Sequence, residues 1–278
     1  MGAPRNVAAR AMAGRARVIV ALSLCACLAG CALRRPLPRA EAPARLPAAA
    51  DLESALAQRR DALHGLRALA RMRYRDGEES GSSRQVIVLE RPDRLRVEVL
   101  SILGTVFVMT ADRQTFSAYA TDEGTVYRGT PSRTLMGRYV RVALGVNELI
   151  DLLLASPAAA PSGGRGDVSF DDEPGAIRLL HTDAIGSNSV WFSASYAPIA
   201  AERRDADGEI EWRAEFDGYE DHDGLHVATK VKLEFPPTQR RIELTLQNPE
   251  VNPPFDDSIF ALQAPLGTKV VDLDRGVP

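Results

Sequence analysis

Cysteine is nearly absent: the chain has three in 278 residues, Cys25, Cys27 and Cys31, all near the N-terminus. No disulfide framework can brace the body, which must be held by its own core. Long apolar runs are scarce too. After a stretch from Val18 to Leu28, no segment has the roughly 20 apolar residues that a membrane-spanning helix needs. Basic charge is not in excess, with 34 Lys and Arg against 37 Asp and Glu, and no basic run stands out, which argues against nucleic acid as a partner. The marks of common enzymes are missing. There is no Gly-x-Ser-x-Gly elbow, and Gly163, Gly164 and Gly166 lack the Lys-Ser/Thr of a phosphate loop. His222 and His226 flank Asp223, with Asp221 just before them, but in a glycine-containing turn where ligand convergence is not enforced, so a solvated turn is the reading. His64 and His181 have no partner visible in the sequence. No catalytic residue, cofactor or metal is expected.

What is present begins with Arg5, Arg10, Arg15 and Arg17 running into Val18–Leu28 and then Leu28-Ala29-Gly30-Cys31. This is the layout of a secretion signal, too short for a stable span. A small-residue cleavage site followed by cysteine resembles the lipobox of bacterial lipoproteins, which implies removal of residues 1–30 and attachment of fatty acyl chains such as palmitate at Cys31. Cleavage would remove Cys25 and Cys27 and leave one thiol, consumed by acylation. Losing four arginines takes the net charge from −3 to −7. Residues 31–50, with Pro36, Pro38, Pro43 and Pro47, read as an extended tether, and 51–278 as one domain.

Asp51 is a candidate helix N-cap, with Leu52, Leu56, Leu63 and Leu66 at helical spacing. From about Gly65 the period becomes two: Ala68, Ala70, Met72 and Tyr74 alternate with Arg67, Arg71, Arg73 and Arg75, up to an Asp76-Gly77 turn. Leu95, Val97 and Val99 alternate with Arg94, Arg96 and Glu98. Further on, Ile210, Trp212, Ala214 and Phe216, then Val227 to Phe235, then Ile242, Leu244 and Leu246 each show one apolar and one wet face. Consecutive antiparallel strands of this kind, about 11 in all, predict a mainly β fold curled into an incomplete barrel. Between Arg133 and Ser156 the alternation stops. Two short helices fit, divided near Gly145-Val146-Asn147, with Asn147 as a cap for the second and Ser156-Pro157 as its end. Leu149, Ile150, Leu152, Leu153 and Leu154 make that helix apolar nearly all round, so it should lie with the N-terminal helix across the concave face of the sheet.

The order of these features resembles the LolA/LolB family of periplasmic lipoprotein carriers and outer-membrane lipoprotein receptors, and is closer to the anchored receptors. The segment from Arg94 to Thr105 is similar to a receptor strand entering and leaving a Pro-Leu-Gly turn, with Ile102 where proline is usual. The likeness continues through Leu144-Gly145-Val146 and Leu149–Leu153, then Trp212 to a Gly218-Tyr219 turn, and Phe260 with Ala264–Val270, a Pro-x-Gly segment more familiar in the carriers.

The resemblance implies a half-barrel whose apolar cavity receives the acyl chains of another lipoprotein, handed over by a periplasmic carrier and inserted in the outer membrane. Candidate cavity walls are Leu95, Val97, Val99, Leu149, Ile150, Leu152, Leu153, Trp212, Phe216, Val231, Leu233 and Leu244; the plainer reading makes each ordinary core. Leu103, and with it Ile102, takes the role of the family's membrane-insertion loop, or else seals the end of the barrel. Ala32, in place of the aspartate tied to inner-membrane retention, points to an outer-membrane, periplasm-facing monomer. An anchored binder of another lipid or glycolipid, or a structural envelope lipoprotein, is the alternative.

Overall fold

The computed structural model describes residues 42–158 and 166–275. The leader, Cys31, most of the tether, and Gly163 to Arg165 lie outside the described residues. Fourteen strands form one sheet: β1 Gly65–Asp76, β2 Glu79–Glu90, β3 Arg94–Ser101, β4 Gly104–Ala111, β5 Phe116–Ala120, β6 Thr125–Gly129, β7 Asp167–Asp171, β8 Ala176–Asp183, β9 Gly186–Phe192, β10 Pro198–Arg204, β11 Ile210–His222, β12 Leu225–Phe235, β13 Arg240–Val251 and β14 Lys269–Asp272. Their order is β14-β6-β5-β4-β3-β2-β1-β13-β12-β11-β10-β9-β8-β7. Only β14 runs parallel to its neighbour, β6. The sheet is curved and open, an incomplete barrel as expected, but with 14 strands instead of about 11. Strands of four or five residues, such as β5, β6 and β14, are too short to display an alternation.

Residues directly opposite on paired strands share a face, and the register shows how the apolar faces join. One row runs Leu179–Val190–Ala201–Ala214–Leu233–Ile242 across β8 to β13, and another runs Ile87–Val97–Met109–Ala118 across β2 to β5. All ten are buried.

Three helices cover this face: α1 Ala49–Ala62, α2 Arg133–Tyr139 and α3 Val146–Leu153. Leu52 and Leu56 of α1 pack on Ile177, Leu179, Val190 and Phe192 at one end of the sheet, while α3 enters the main core with Leu149, Ile150, Leu152 and Leu153. The start of α1 differs from expectation. Its N-cap is Ala48, and Asp51 stands three residues inside, where its carboxylate accepts the Ala48 N–H at 3.1 Å. The helix therefore begins at Ala49, before the expected cap at Asp51. Leu63 and Leu66 are buried, but beyond the helix: Leu63 closes it and Leu66 belongs to β1. In α3 the N-cap is Gly145, not Asn147, and Glu148 accepts the Gly145 N–H at 3.3 Å. That helix ends at Leu153, before Ser156-Pro157.

Gly218-Tyr219 is not a turn. The pairings Asp217↔Lys230 and Tyr219↔Ala228 keep one register on either side of it, so Gly218 lies within β11, across from Thr229. At φ 65°, with the position of a Cβ only 2.6 Å from Thr229 Oγ1, glycine is required there. Beside it, the Tyr219 hydroxyl donates to the Pro198 carbonyl, and burial pushes its pKa up to about 12. A neutral phenol is thus favoured in the fold. Its contribution is complete below pH 10 and disappears as the pH rises through about 12. The urea midpoint of the native chain should fall across that interval by the equivalent of about 3 kcal/mol, and Tyr219→Phe should remove that part of the slope; equal slopes in the two proteins would contradict the assignment.

Candidate functional site

On the concave face, β1 to β4 and β13 leave a cavity of about 230 Å³ beneath α3 and the segment from Tyr139 to Val142. Its floor includes Met72, Ile87, Leu95, Val97, Val99, Phe107, Ile242 and Leu244, and its roof Leu149 and Leu153. Polar groups are few. Gln85 Nε2 donates to Ser83 Oγ at 3.1 Å, and the Arg141 guanidinium lies 4.1 Å from the Tyr74 ring centroid. Tyr139 stacks at 5.2 Å on Phe116 and 5.5 Å on Tyr127. Its hydroxyl is buried without a hydrogen-bond partner among the described residues, and burial raises its pKa. The cavity is therefore a mainly apolar space, suited chemically to a hydrocarbon chain.

Of the candidate wall residues, Leu95, Val97, Val99, Leu149, Leu153 and Leu244 line this cavity. Ile150, Phe216, Val231 and Leu233 are packed in the core beyond it. Trp212 and Leu152 lie across α3, beside a second hollow of about 470 Å³ that also holds Arg133, Asn147, Glu148, Asn188, Arg203 and Glu211. Trp212 Nε1 donates to Glu148 Oε1 at 2.9 Å, so the tryptophan ties α3 to β11.

The roof is held by charges that the apolar pattern hid. Asp151 projects from α3 with a side chain only 10 % exposed, and both of its oxygens are taken: Arg60 of α1 at 2.5 Å, and Arg91 at the end of β2. Arg91 also donates to the Leu63 carbonyl at 2.9 Å and to Ser156 Oγ. Arg59 gives Nε to the Ala155 carbonyl at 2.8 Å and Nη2 to the Leu154 carbonyl at 3.2 Å. These are carbonyls that a helix C-terminus leaves without an internal partner, and a cation there also meets the favourable end of the helix dipole. Burial lowers the pKa of both Arg59 and Arg91, with Asp151 acting the other way on Arg91. His181, without a visible partner in the sequence, is buried on β8 with Nε2 2.8 Å from Glu53 Oε1 of α1. His222 and His226 stand at the β11–β12 turn, 3.8 Å from Glu220 and 4.0 Å from Asp221 respectively. No group of three potential metal ligands converges among the described residues.

The β3–β4 connection is a two-residue hairpin with Ile102 100 % exposed and Leu103 93 % exposed. Neither seals the barrel. Ser101 Oγ accepts the Leu103 N–H at 3.1 Å and donates to the Gly104 carbonyl at 3.0 Å, which fixes the tip with both side chains outward.

A curved open antiparallel sheet with helices in its hollow is the fold of LolA-like proteins. Among solved structures it is similar to a DUF1329 family protein from Desulfovibrio piger (TM-score 0.54, 14% identity, 77% of this chain and 95% of that one). A putative outer membrane lipoprotein-sorting protein domain from Vibrio parahaemolyticus gives a TM-score of 0.50 at 15% identity, covering 76% and 94%. A LolA superfamily protein from Nitrosomonas europaea gives 0.50 at 12%, covering 78% and 99%. No family model matches the sequence, and no curated protein matches it.

Removing the Asp151 carboxylate leaves two guanidiniums facing each other with nothing between them. Asp151→Ala should cost about 3 kcal/mol in chemical denaturation and raise amide exchange across α3 well above that of β11 and β12; unchanged protection of α3 would show that its apolar face alone holds it.

Proposed function

We propose that this protein is a lipid-anchored acyl-chain binder of the bacterial envelope, which receives lipoproteins from a periplasmic carrier and delivers them to the outer membrane. The observation that carries the reading is the apolar cavity roofed by α3, on the same curved sheet as a hairpin that holds Ile102 and Leu103 in solvent. Support comes from a lipoprotein-sorting protein and a LolA superfamily protein among the similar folds and from the lipobox-like sequence ending at Cys31.

At about 230 Å³ the cavity lies below the ~300–1000 Å³ common for small-molecule sites, so a long chain enters only as α3 lifts from the sheet. Two solvent-held apolar side chains are costly in water and favourable in a bilayer, which gives the hairpin its task at the moment of release. Binding and transfer need no covalent chemistry, so the protein is not an enzyme in this reading.

A second reading, an anchored binder of a glycolipid, is favoured by the polar hollow on the far side of α3. Arg203 Nη1 is buried there without a hydrogen-bond partner among the described residues, next to Asn188, Glu211 and Trp212.

The test mixes the anchored protein in liposomes with a carrier loaded with a labelled triacylated lipoprotein. Transfer to the liposomes should proceed with the native chain. Val99→Trp, which fills the cavity, should lower capture at least tenfold. Leu103→Glu should leave capture intact and stop insertion. Capture of free glycolipid with no uptake of lipoprotein would move the assignment to the second reading.

A further inference from the structure

The linear sequence has no basic run, yet the sheet assembles a basic surface. Arg71, Arg73 and Arg75 share the outer face of β1, because Met72 and Tyr74 between them line the cavity. Arg84 of β2 lies on the same face, directly opposite Arg71, while Ser82 and Ser80 stand opposite Arg73 and Arg75. All four arginines are exposed, and none has a carboxylate within 4.0 Å among the described residues. On the other side of β1 the opposed residues are Thr245, Glu243 and Arg241, and the Arg241 guanidinium is paired with Glu234 at 2.7 Å. Glu78 and Glu79 lie past the last arginine, at the hairpin end. Like charges directly opposite on a sheet are unfavourable, and a chain with more acidic than basic residues has carboxylates to spare for such a site. Glu243, opposite Arg73, is the one carboxylate in these facing rows and is not within 4.0 Å of it, so four guanidiniums stand against a single carboxylate and leave room for an external anion.

The position of this surface indicates which anion. Arg84 is paired with Leu100 of β3, two residues before Ile102, so the arginines lie beside the apolar tip. A third exposed side chain, Leu266, sits in the turn closed by Thr268 N–H to the Pro265 carbonyl at 3.2 Å. That turn leads into β14 at Lys269, opposite Thr125, and the β5–β6 hairpin that ends at Thr125 lies at the same end of the sheet as the β3–β4 hairpin. Nucleic acid or an acidic protein would account for the guanidiniums but not for Ile102 and Leu103 beside them, or for Leu266 farther along the same end of the sheet. A bilayer with anionic head groups accounts for both.

We propose that the outer face of β1 and β2, through Arg71, Arg73, Arg75 and Arg84, seats the body on an anionic lipid surface next to the point where Ile102 and Leu103 enter the acyl region. This rests on the reading of that hairpin as membrane-inserting and adds to it a lipid preference and an orientation.

The experiment uses the full anchored chain carrying Leu103→Trp, in liposomes whose acyl chains are brominated to quench tryptophan on contact, with the chain lacking the substitution as the reference for Trp191 and Trp212. Phosphatidylcholine vesicles are compared with equal mixtures of phosphatidylcholine and phosphatidylglycerol. Quenching of the added tryptophan should rise in the anionic vesicles, and high salt should abolish the rise. R71Q with R84Q should weaken contact with anionic vesicles on the order of thirtyfold, as loss of two surface-bound charges implies, while leaving contact with neutral vesicles unchanged. R71K with R84K, which keeps both charges, should behave as the native protein. Equal quenching in the two kinds of vesicle, or a rise that survives R71Q with R84Q, overturns the inference and leaves the hairpin reading standing. No quenching in either vesicle overturns the hairpin reading, and this inference with it.

Discussion

The buried carboxylate of Asp151 is the point on which the arrangement of the hollow depends. α3 is two turns long and would not hold its shape alone. It stays in place because its apolar side is covered by the sheet and its C-terminal end is held by Arg59, Arg60 and Arg91. These three arginines come from the end of α1 and the end of β2, so one cluster fixes the roof, the entry helix and the first hairpin together. A side chain only 10 % exposed, satisfied by two guanidiniums, gains little over an apolar substitute, but losing either partner leaves a charge with nowhere to go. Such a cluster defines geometry more than it adds stability.

Geometry matters here because the cavity is bounded on one side by sheet and on the other by a short helix. The floor is a closed ladder of backbone hydrogen bonds across β13, β1, β2, β3 and β4. It cannot widen without breaking register. The roof meets the floor through Leu149 and Leu153 and is tied at its other end by Trp212 to Glu148. Any enlargement must therefore come from α3 and the Tyr139–Val142 segment, whose attachments are side-chain contacts and a few charged hydrogen bonds. The same helix separates the apolar cavity from the polar hollow around Arg203, so moving it would join a space suited to hydrocarbon to one suited to a polar group.

Much of this was legible in the sequence. The alternation of Leu95, Val97 and Val99 and of Ile210 to Phe216 marked both the strands and their inner face, because a half-covered sheet imposes period two on its residues. The break after Arg133, followed by continuous leucines, marked a covered helix. What was not legible depends on pairings between distant residues. Leu149 and Ile150 are adjacent in sequence and both apolar, yet one lines the cavity and the other fills the core, a distinction set by where the sheet curves. The role of Asp151 left no mark in the sequence because its partners lie 60 and 91 residues away. Asp51 and Asn147 have capping chemistry, but which turn of chain begins the helix was settled by Asp51 and Glu148 acting from inside it. Gly218-Tyr219 carries a turn signature, and only its pairing with β12 places it inside a continuous strand.

Release of a long acyl chain into water is excluded by its size, since each methylene favours an apolar site by about 0.8 kcal/mol and a chain has many. A binding site for such a cargo therefore works by exchange between apolar environments, and its affinity must fall between that of the donor and that of the final membrane. A cavity that is partly filled by its own roof meets this requirement. In the proposed function, entry of cargo would break the contacts that Leu149 and Leu153 make with the floor, and that loss would offset part of the gain from burying the chain. Binding would thereby be weakened without exposing the chain to water, and the closed arrangement would be regained when the chain leaves. Positioning the outlet then becomes the remaining need, and it is a matter of where the sheet edge meets the bilayer: an end that carries Ile102 and Leu103 in solvent and arginines behind them has one orientation in which both are satisfied.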